Sequence, residues 1–331
     1  MAGAEQLAEL WRNDVLEGVH MGHAIVVDQG GQVVRAWGNP DQVIFPRSSC
    51  KMVQALPLIE SGAAAKAGLT SEQLALACSS HQGAAIHTTR VLAWLDAMGL
   101  TDDDLRCGPQ HIRDRVENNA MIKADKTPCQ CHNICSGKHC GFLALNQHLG
   151  GGSEYIEVDH PVQRAVRAAS EETYGETSAT YGLDGCSAPN FTTSLMGLGR
   201  AVAAFASADG KSDARSKAMV TLRDAMRTHP ELVAGEGRAC TELMRASEGR
   251  LVLKTGAEGV FVAIVPERKL GIALKISDGA TRASEAAIAA ILVGMDLLPR
   301  DHPDVQNRMY APLLNRRNIR AAEMRPAAAL L

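Results

Sequence analysis

The sequence predicts a mixed α/β fold of the α+β type, in which strands from both ends of the chain form one antiparallel sheet beside a large helical middle region. Three observations support this prediction. Apolar residues alternate at 22–28 and 32–37, on either side of the turn QGG. Three further apolar runs lie between Arg250 and Ile276, separated by the turn signals GAEG and PERK. Helical periodicity dominates the region between these two sets of strands.

The strands at the two ends are expected to share one sheet, because short links between consecutive strands make neighbours antiparallel. The chain has no repeat and no linker rich in Pro, Gly or Ser. We therefore expect a single domain over residues 1–331, with sheet-forming parts at 1–47 and 250–331 and a mostly helical part at 48–249.

Individual elements have their own signals. A short apolar run, VIF at 43–45, follows the first hairpin. Apolar residues recur at helical spacing in HTTRVLAWLDAMG at 87–99 and in HPVQRAVRAASEETYG at 160–175, where Asp159 is the expected N-cap. SEAAIAAILVGMDLL at 284–298 predicts a helix near the C-terminus.

Composition narrows the classes of function. The 331 residues are 46% hydrophobic, which is enough to bury a substantial core, and the net charge is -3. A nucleic-acid surface would need clustered basic charge, so a small-molecule substrate is expected, with neither nucleic acid nor membrane as a partner. The N-terminal residues are acidic and mixed where a secretory signal would be basic and then apolar, and no run of 18 apolar residues occurs. We expect a cytoplasmic protein.

The nine cysteines are expected to stay reduced in such a protein. Five of them lie between Cys107 and Cys140, whereas the others stand alone. This concentration indicates a metal or thiolate site near that segment.

RSSCKMVQALPLIESG at 47–62 carries the first chemical signal. Ser48 and Lys51 are three residues apart, so on a helix they share a face and bring a hydroxyl close to an amine. A lysine that has lost its proton can activate a serine nucleophile. The alternative is that Ser48 only caps the helix and Lys51 is solvated. Pro57 must bend or shorten this helix.

A second signal lies on a late strand, where RLVLKTGAEGVF places Lys254, Thr255 and Gly256 at the strand end. S-x-x-K on a helix with K-T-G on a late strand resembles the serine β-lactamases, penicillin-binding proteins and serine-dependent glutaminases. Their third motif is S-x-N, for which the candidate here is Ser80 in ACSSHQG, with Gln82 in place of the Asn. That resemblance makes Ser80 and Lys254 a second hydroxyl and amine pair.

A more extensive resemblance covers nearly the whole chain. RSSCKMVQALPLIESG, ACSSHQGAAIHT, HNICSGKHCGFLAL, DHPVQ and DGCSAPN are similar to segments of the Rhizobium-type asparaginases, the third structural class of L-asparaginases, which have the β-lactamase-like fold. The resemblance implies hydrolysis of L-asparagine to L-aspartate and ammonia through an acyl-enzyme, and a homodimer. It also implies two catalytic pairs and a set of Zn²⁺ ligands: Ser48 with Lys51, Ser80 with Lys254, and zinc on Cys135, Lys138 and Cys186.

Four further residues are candidates for contacts with the substrate. Arg47 is suited to the substrate α-carboxylate, because a guanidinium binds a carboxylate bidentately. The backbone N–H groups of Ser48 and Ala257 are oxyanion-hole candidates by analogy with the fold family. His81 follows Ser80 directly, and Asp184 precedes Cys186 as a polar neighbour of the metal.

The segment CQCHNICSGKHC leaves two interpretations of the metal open. Its ligand types alone favour an ordinary structural zinc, held by four thiolates or by two thiolates and two imidazoles. Its spacing lacks paired C-x-x-C knuckles, and the apolar run after Cys140 predicts a helix from Ser136 onward, which places Cys135 and Lys138 one turn apart. We therefore expect about one zinc per chain, held by Cys135, Lys138 and Cys186. His139 is expected as another polar neighbour of this site.

Two rival functions remain open at this stage. One is a different amide or lactam hydrolase such as a glutaminase, because one methylene changes discrimination by only about 1 to 3 kcal/mol. The other is a protein without enzymatic activity, in which the cysteine cluster senses a metal or redox state.

Overall fold

The computed structural model describes residues 3–331, which form twelve strands, fourteen α-helices and five short 3-10 turns. The strands are β1 (Glu5–Arg12), β2 (Val15–Val27), β3 (Val33–Trp37), β4 (Val43–Ile44), β5 (Tyr181–Leu183), β6 (Pro189–Phe191), β7 (Thr193–Ser194), β8 (Val252–Thr255), β9 (Val260–Val265), β10 (Leu270–Ile276), β11 (Pro312–Leu314) and β12 (Arg320–Pro326). The helices are α1 (Lys51–Gln54), α2 (Leu56–Glu60), α3 (Ala63–Lys66), α4 (Ser71–Ala77), α5 (Ala85–Ala97), α6 (Arg115–Lys123), α7 (Ser136–Leu149), α8 (Pro161–Tyr174), α9 (Leu195–Ala206), α10 (Ala214–Thr228), α11 (Pro230–Val233), α12 (Ala239–Ala246), α13 (Thr281–Gly294) and α14 (Pro303–Met309). The 3-10 turns are Arg47–Cys50, Asp102–Asp104, Gln130–His132, Pro266–Arg268 and Ala328–Leu330.

The described chain divides into two units, of which the first contains the sheet. This sheet unit comprises the described N-terminal residues up to Ser49, together with Thr193–Ser207 and Gly237–Leu331. Its main sheet has the strand order β11-β12-β1-β2-β10-β9-β8, and every pairing is antiparallel. The predicted class is therefore confirmed: a mixed α/β chain whose antiparallel sheet combines strands from both ends.

The long strand β2 organises this sheet. Its first half pairs with β1 as far as Gly22, and its second half pairs with β10 from Gly22 to Val27. β3 pairs with Ala24–Val27 beyond the end of β1. All six residues of β9 are buried, so both faces of the central strands are covered. The helices that pack against β9 are α9 and α13.

The second unit, Cys50–Thr192 and Ala208–Glu236, is mostly helical. Its helices α4, α7 and α10 pack on one another in the pairs α4–α7 and α4–α10, and the short hairpin of β5 and β6 is its only β-structure in the described residues. Gly137 of α7 lies so close to α4 that a Cβ there would sit 2.5 Å from the carbonyl oxygen of Leu76. None of the helices within 3–331 has both the length and the apolar character that crossing a membrane requires.

The structure differs from the predicted pattern at several points. The expected helix from Ser48 is a 3-10 turn followed by the four-residue α1, and Pro57 stands in the first turn of α2, where its missing N–H is tolerated. The N-cap of α8 is His160 and not Asp159, because Pro161 occupies the first helical position.

The division of the chain also differs from the expected boundaries. The sheet unit includes α9 and residues 237–249, which the sequence pattern assigns to the helical part at 48–249.

Candidate active site and metal site

Ser48 lies on a tight turn whose backbone is held in an uncommon conformation. It belongs to the 3-10 turn Arg47–Cys50, in which Arg47 has a positive φ of 54°. Both the backbone N–H and the hydroxyl of Ser49 donate to the carbonyl oxygen of Pro46, at 3.2 and 2.6 Å. A non-glycine residue at positive φ is retained only where the surroundings fix it, and such positions cluster at functional sites. The turn therefore presents a half-buried Ser48 on a fixed backbone.

The K-T-G segment lies against this turn within the sheet unit. A Cβ on Gly256 would meet the carbonyl oxygen of Pro46 at 2.8 Å and the backbone nitrogen of Ser49 at 3.2 Å. Only a residue without a Cβ lets the two backbone segments approach this closely. The neighbouring Ala257 is exposed, and the N–H of Gly256 donates to the carbonyl oxygen of Val260 at 2.7 Å.

Lys254 is fully buried at the end of β8. Its Nζ donates to the carbonyl oxygen of Thr255 at 2.9 Å, and the N–H of Thr255 donates to Sγ of Cys240 at 3.2 Å. Burial raises the pKa of Cys240, and the charge of Lys254 acts in the opposite direction. No local sequence pattern singles out Cys240, because its contact with Thr255 follows from the packing of α12 on β8.

Lys51 lies at the start of α1 in the helical unit, with 1% of its surface exposed. Its Nζ donates to the carbonyl oxygen of Ser79 at 2.5 Å, and lies 3.0 Å from Oγ of Ser80 and 3.1 Å from Sγ of Cys135. The alternative of a solvated lysine is therefore wrong. The buried amine of Lys51 contacts a serine hydroxyl and a thiol, and so belongs to a buried polar cluster.

Ser80 and His81 follow α4, where two backbone bonds fix them. The N–H of Ser80 donates to the carbonyl oxygen of Val233 at 2.8 Å, and the N–H of His81 donates to that of Ile134 at 3.1 Å. The ring of His81 is held as well, because Nδ1 accepts from the N–H of Gly83 at 3.1 Å and Nε2 lies 2.8 Å from Oγ of Ser136.

The role of His81 follows from these partners. The hydroxyl of Ser136 donates to the carbonyl oxygen of Cys131 at 2.8 Å, so it accepts from Nε2–H of His81. His81 is completely buried and stacks on His87 with ring centroids 4.8 Å apart. Burial first, and the neighbouring His87 second, hold the pKa of His81 well below its usual value. The imidazole is neutral, and Ser136 is a partner that the sequence did not indicate.

The structure brings the three expected zinc ligands together in the helical unit. Cys135 is the N-cap of α7, Lys138 lies in its first turn, and Cys186 lies in the turn that follows β5. Nζ of Lys138 is 3.1 Å from Sγ of Cys186, which also shares a hydrogen bond with Cys135. All three residues are buried. The half-buried Asp184 shapes the turn, since its side chain accepts from the N–H of Gly185 at 2.8 Å.

The protonation of these ligands follows from their contacts. The hydrogen bond from Cys135, helped by the charge of Lys138, holds the pKa of Cys186 well below its usual value. The same hydrogen bond and burial raise the pKa of Cys135. Burial opposes the charge on Lys138, but the two sulfurs outweigh it and raise its pKa. Without a metal, these shifts favour the thiolate form of Cys186 and the protonated forms of Cys135 and Lys138.

This donor set fits zinc. Two sulfurs and an amine nitrogen are zinc donors once the thiol and the ammonium have lost their protons. Among residues 3–331, no His, Asp or Glu joins Cys135 and Cys186 in a group of three close ligand atoms. The nitrogen atoms beside the two sulfurs are lysine amines, that of Lys138 at 3.1 Å from Cys186 and that of Lys51 at 3.1 Å from Cys135. His139 is turned to Tyr155, whose hydroxyl lies 2.9 Å from its Nδ1.

Comparison with known proteins identifies the family. The chain matches L-asparaginase II over residues 8–326, a span that includes all the residues described above. The chain belongs to the L-asparaginase II family. Members of this family are asparaginase-type amidohydrolases, so the enzyme hypothesis is favoured over that of a metal or redox sensor. Among curated proteins, none matches the chain.

Solved structures similar to this L-asparaginase II family member include proteins described as β-lactamases. A class C β-lactamase from Rhodobacter sphaeroides has a TM-score of 0.44 and 13% identity, covering 83% of this chain and 95% of its own. A putative β-lactamase from Bacteroides dorei DSM 17855 has a TM-score of 0.43 and 14% identity, covering 77% of this chain and 84% of its own.

Proposed function

We propose that this asparaginase-type amidohydrolase hydrolyses L-asparagine through a covalent acyl-enzyme formed on Ser48. The observation that carries the proposal is the fixed turn of Ser48, held against Gly256 of the K-T-G segment. A nucleophile must be positioned to within about an ångström of its target, and a rigid turn with a strained residue beside it provides that.

The first half of the reaction forms the ester. Oγ of Ser48 attacks the carbon of the side-chain amide, and its proton passes to the amine of Lys51, the residue one helical turn along the sequence. The carbon–nitrogen bond then breaks, and the nitrogen takes up a proton and leaves as ammonia. Water attacks the ester in the second half, which releases L-aspartate and returns the proton to Ser48.

The second pair supplies the proton for the leaving group in this proposal. Ser80 donates to the departing nitrogen and is supported by Lys254, by analogy with the middle serine and the K-T-G lysine of the fold family. Lys51 also contacts Ser80, at 3.0 Å, which supports a single proton network and not two independent ones. The N–H groups of Ser48 and Ala257 are proposed to bind the oxyanion, a contribution of about 3 kcal/mol for each donor.

Three residues are proposed to bind the ends of the substrate. Arg47 takes the α-carboxylate with its guanidinium. His81 is neutral, so it serves as a hydrogen-bonding and positioning group rather than as a cation. Asp184 is proposed to accept a hydrogen bond from the α-ammonium group of the substrate.

Cys135, Lys138 and Cys186 are proposed to hold a zinc ion. When bound, zinc supplies a Lewis acid with one further position for water or a substrate group. Lys51 touches Cys135 at 3.1 Å, so the protonation of this ligand also bears on the lysine that we propose as the base.

The experiment is an assay of ammonia release by the purified chain with L-asparagine and with L-glutamine. We expect turnover of L-asparagine that Ser48→Ala abolishes, while Ser61→Ala, a change at an exposed serine of the same segment, leaves it intact. Faster release from L-glutamine would make the chain a glutaminase of the same fold. Turnover by the Ser48→Ala protein above roughly a tenth of the parent rate would reject the covalent mechanism, because a nucleophile has no substitute. A homodimer remains our prediction for the assembly, which light scattering on the same sample checks.

A further inference from the structure

A second group of metal-ligating atoms lies on the turn of Cys129, Cys131 and His132, which we call the CQCH turn. Sγ of Cys129 is 3.4 Å from Sγ of Cys131 and 3.3 Å from Nδ1 of His132, and Sγ of Cys131 is 3.5 Å from the same Nδ1. Among residues 3–331 it is the one group of three close His, Cys, Asp or Glu ligand atoms. It shares no residue with the candidate active site.

The backbone of the turn produces this convergence. Cys129 precedes the 3-10 helix Gln130–His132, and the N–H of His132 donates to the carbonyl oxygen of Cys129 at 3.2 Å. A 3-10 helix has three residues per turn, so residues three apart lie on the same side. This spacing places Cys129 and His132 on one side of the turn, and Sγ of Cys131 lies within 3.5 Å of both ligand atoms, without the C-x-x-C spacing of a zinc knuckle.

Asp102 fixes the turn from outside. Its carboxylate accepts from the N–H of Cys131 at 2.7 Å and from the N–H of Gln130 at 3.0 Å. The side-chain amide of Gln130 donates to the carbonyl oxygens of Asp102 and Leu105, both at 2.9 Å. These hydrogen bonds hold the backbone of the turn in place without a metal. Little further ordering of the backbone is therefore needed when an ion binds.

The distances match those of a tetrahedral zinc site. Bonds of about 2.3 Å to sulfur and about 2.0 Å to nitrogen place two sulfurs roughly 3.8 Å apart, and a sulfur roughly 3.5 Å from a nitrogen. Nδ1 of His132 accepts from the N–H of Cys129 at 3.1 Å, so the imidazole proton is on Nε2, and an ion bound at Nδ1 would replace this hydrogen bond. Small adjustments of the two thiols would be sufficient to seat an ion.

Access and charge also suit a cation. Cys131 and His132 are buried, whereas Cys129 is exposed and leaves an opening to solvent. The Asp102 carboxylate stays outside the group of three, where it accepts from the N–H groups of Gln130 and Cys131 and adds negative charge beside the turn. A divalent cation would be balanced by the two thiolates, with Asp102 beside them.

We propose that the CQCH turn is a second metal site, which binds a thiophilic divalent cation, Zn²⁺ by its ligand set, through Cys129, Cys131 and His132 with a fourth position open to solvent. The site is additional to that of Cys135, Lys138 and Cys186, and it rests on the geometry of the turn alone, independently of the proposed function.

The test titrates the reduced, metal-free full-length chain with Cd²⁺, whose bonds to thiolates give an ultraviolet charge-transfer band. We expect two ions per chain for the parent protein, about one for the double variant Cys129→Ser with Cys131→Ser, and about one for Cys135→Ala with Cys186→Ala. Combining all four changes should abolish the band. Cys140→Ala, which removes a buried thiol that is in neither group, should leave both ions.

Equal stoichiometry and equal band intensity in the parent and in the Cys129→Ser, Cys131→Ser protein would overturn the proposal. So would a Cys129–Cys131 disulfide found by mass spectrometry, if the chain bound no ion at this turn after reduction. A Cys135→Ala, Cys186→Ala protein that fails to fold does not affect the test, because the parent and the Cys129→Ser, Cys131→Ser protein suffice for the comparison.

Discussion

Replacing Gly256 with alanine should disable the active site while leaving the chain folded. The new Cβ would lie 2.8 Å from the carbonyl oxygen of Pro46, short of the 3.4 Å at which ordinary contact begins. The turn that carries Ser48 must therefore move by about 0.6 Å, and displacements approaching 1 Å cost about a hundredfold in rate. We expect kcat for L-asparagine to fall by roughly ten- to a hundredfold, and the free energy of unfolding to fall by roughly 1 to 3 kcal/mol, as for other overpacked sites.

The matched control is Gly18→Ala. Gly18 lies on β2 of the same unit, and a Cβ there would meet nothing within 4 Å. Steady-state ammonia release measures the change in kcat of both variants, and thermal unfolding measures the change in their stability. If the Gly256→Ala protein kept more than half of the parent activity, the close approach of the K-T-G segment to the turn would not be what positions the nucleophile.

Three further predictions concern the proton network, the metal and the pH dependence of folding. Lys51→Met and Lys254→Met should each lose most activity, and the double variant should be no more than about threefold worse than the worse single one, since members of one relay fail together; multiplying losses would mean two independent groups. The Cys186→Ala protein should bind about one zinc ion fewer per chain than the parent. The affinity of the parent for zinc at that site should fall steeply as pH falls, because the pKa values of Cys135 and Lys138 are raised and zinc must displace their protons. An affinity that does not change with pH would contradict this. Burial lowers the pKa of His87, so the unfolded chain takes up a proton below about pH 6.5 that the folded chain does not, and stability should fall by up to about 1.4 kcal/mol per pH unit. Chemical denaturation at several pH values should show a shallower dependence for His87→Gln, and identical slopes would refute the assignment.

Local patterns predicted the strands that are buried on both faces. β8, β9 and β10 are short apolar runs bounded by turn signals, and the structure has them where the sequence indicated. β1 and β12 were not predicted, because β1 buries only two of its eight residues and β12 only three of its seven. These strands are stabilised by pairing between the two ends of the chain, such as Ala8 with Pro326, and no local pattern reports such a partner.

The candidate site shows the same limit. Spacing suggested that Cys135 and Lys138 share a helical turn, and α7 begins at Ser136 as expected. The contact of Lys51 with Cys135 joins residues 84 positions apart, so only the packing of the helical unit reveals it. The spacing of the CQCH turn lacks the C-x-x-C pattern of a zinc knuckle, and a 3-10 turn brings its ligand atoms together in a different way that spacing alone does not indicate.

The most direct test of the central claim is intact-mass analysis of the chain quenched during turnover of L-asparagine. We expect a fraction of the protein to be heavier by one aspartyl group, with the added mass on the peptide that contains Ser48, and no such species in the Ser48→Ala protein. An adduct on a different residue, or turnover by the Ser48→Ala protein above roughly a tenth of the parent rate, would contradict the role of Ser48 as the nucleophile.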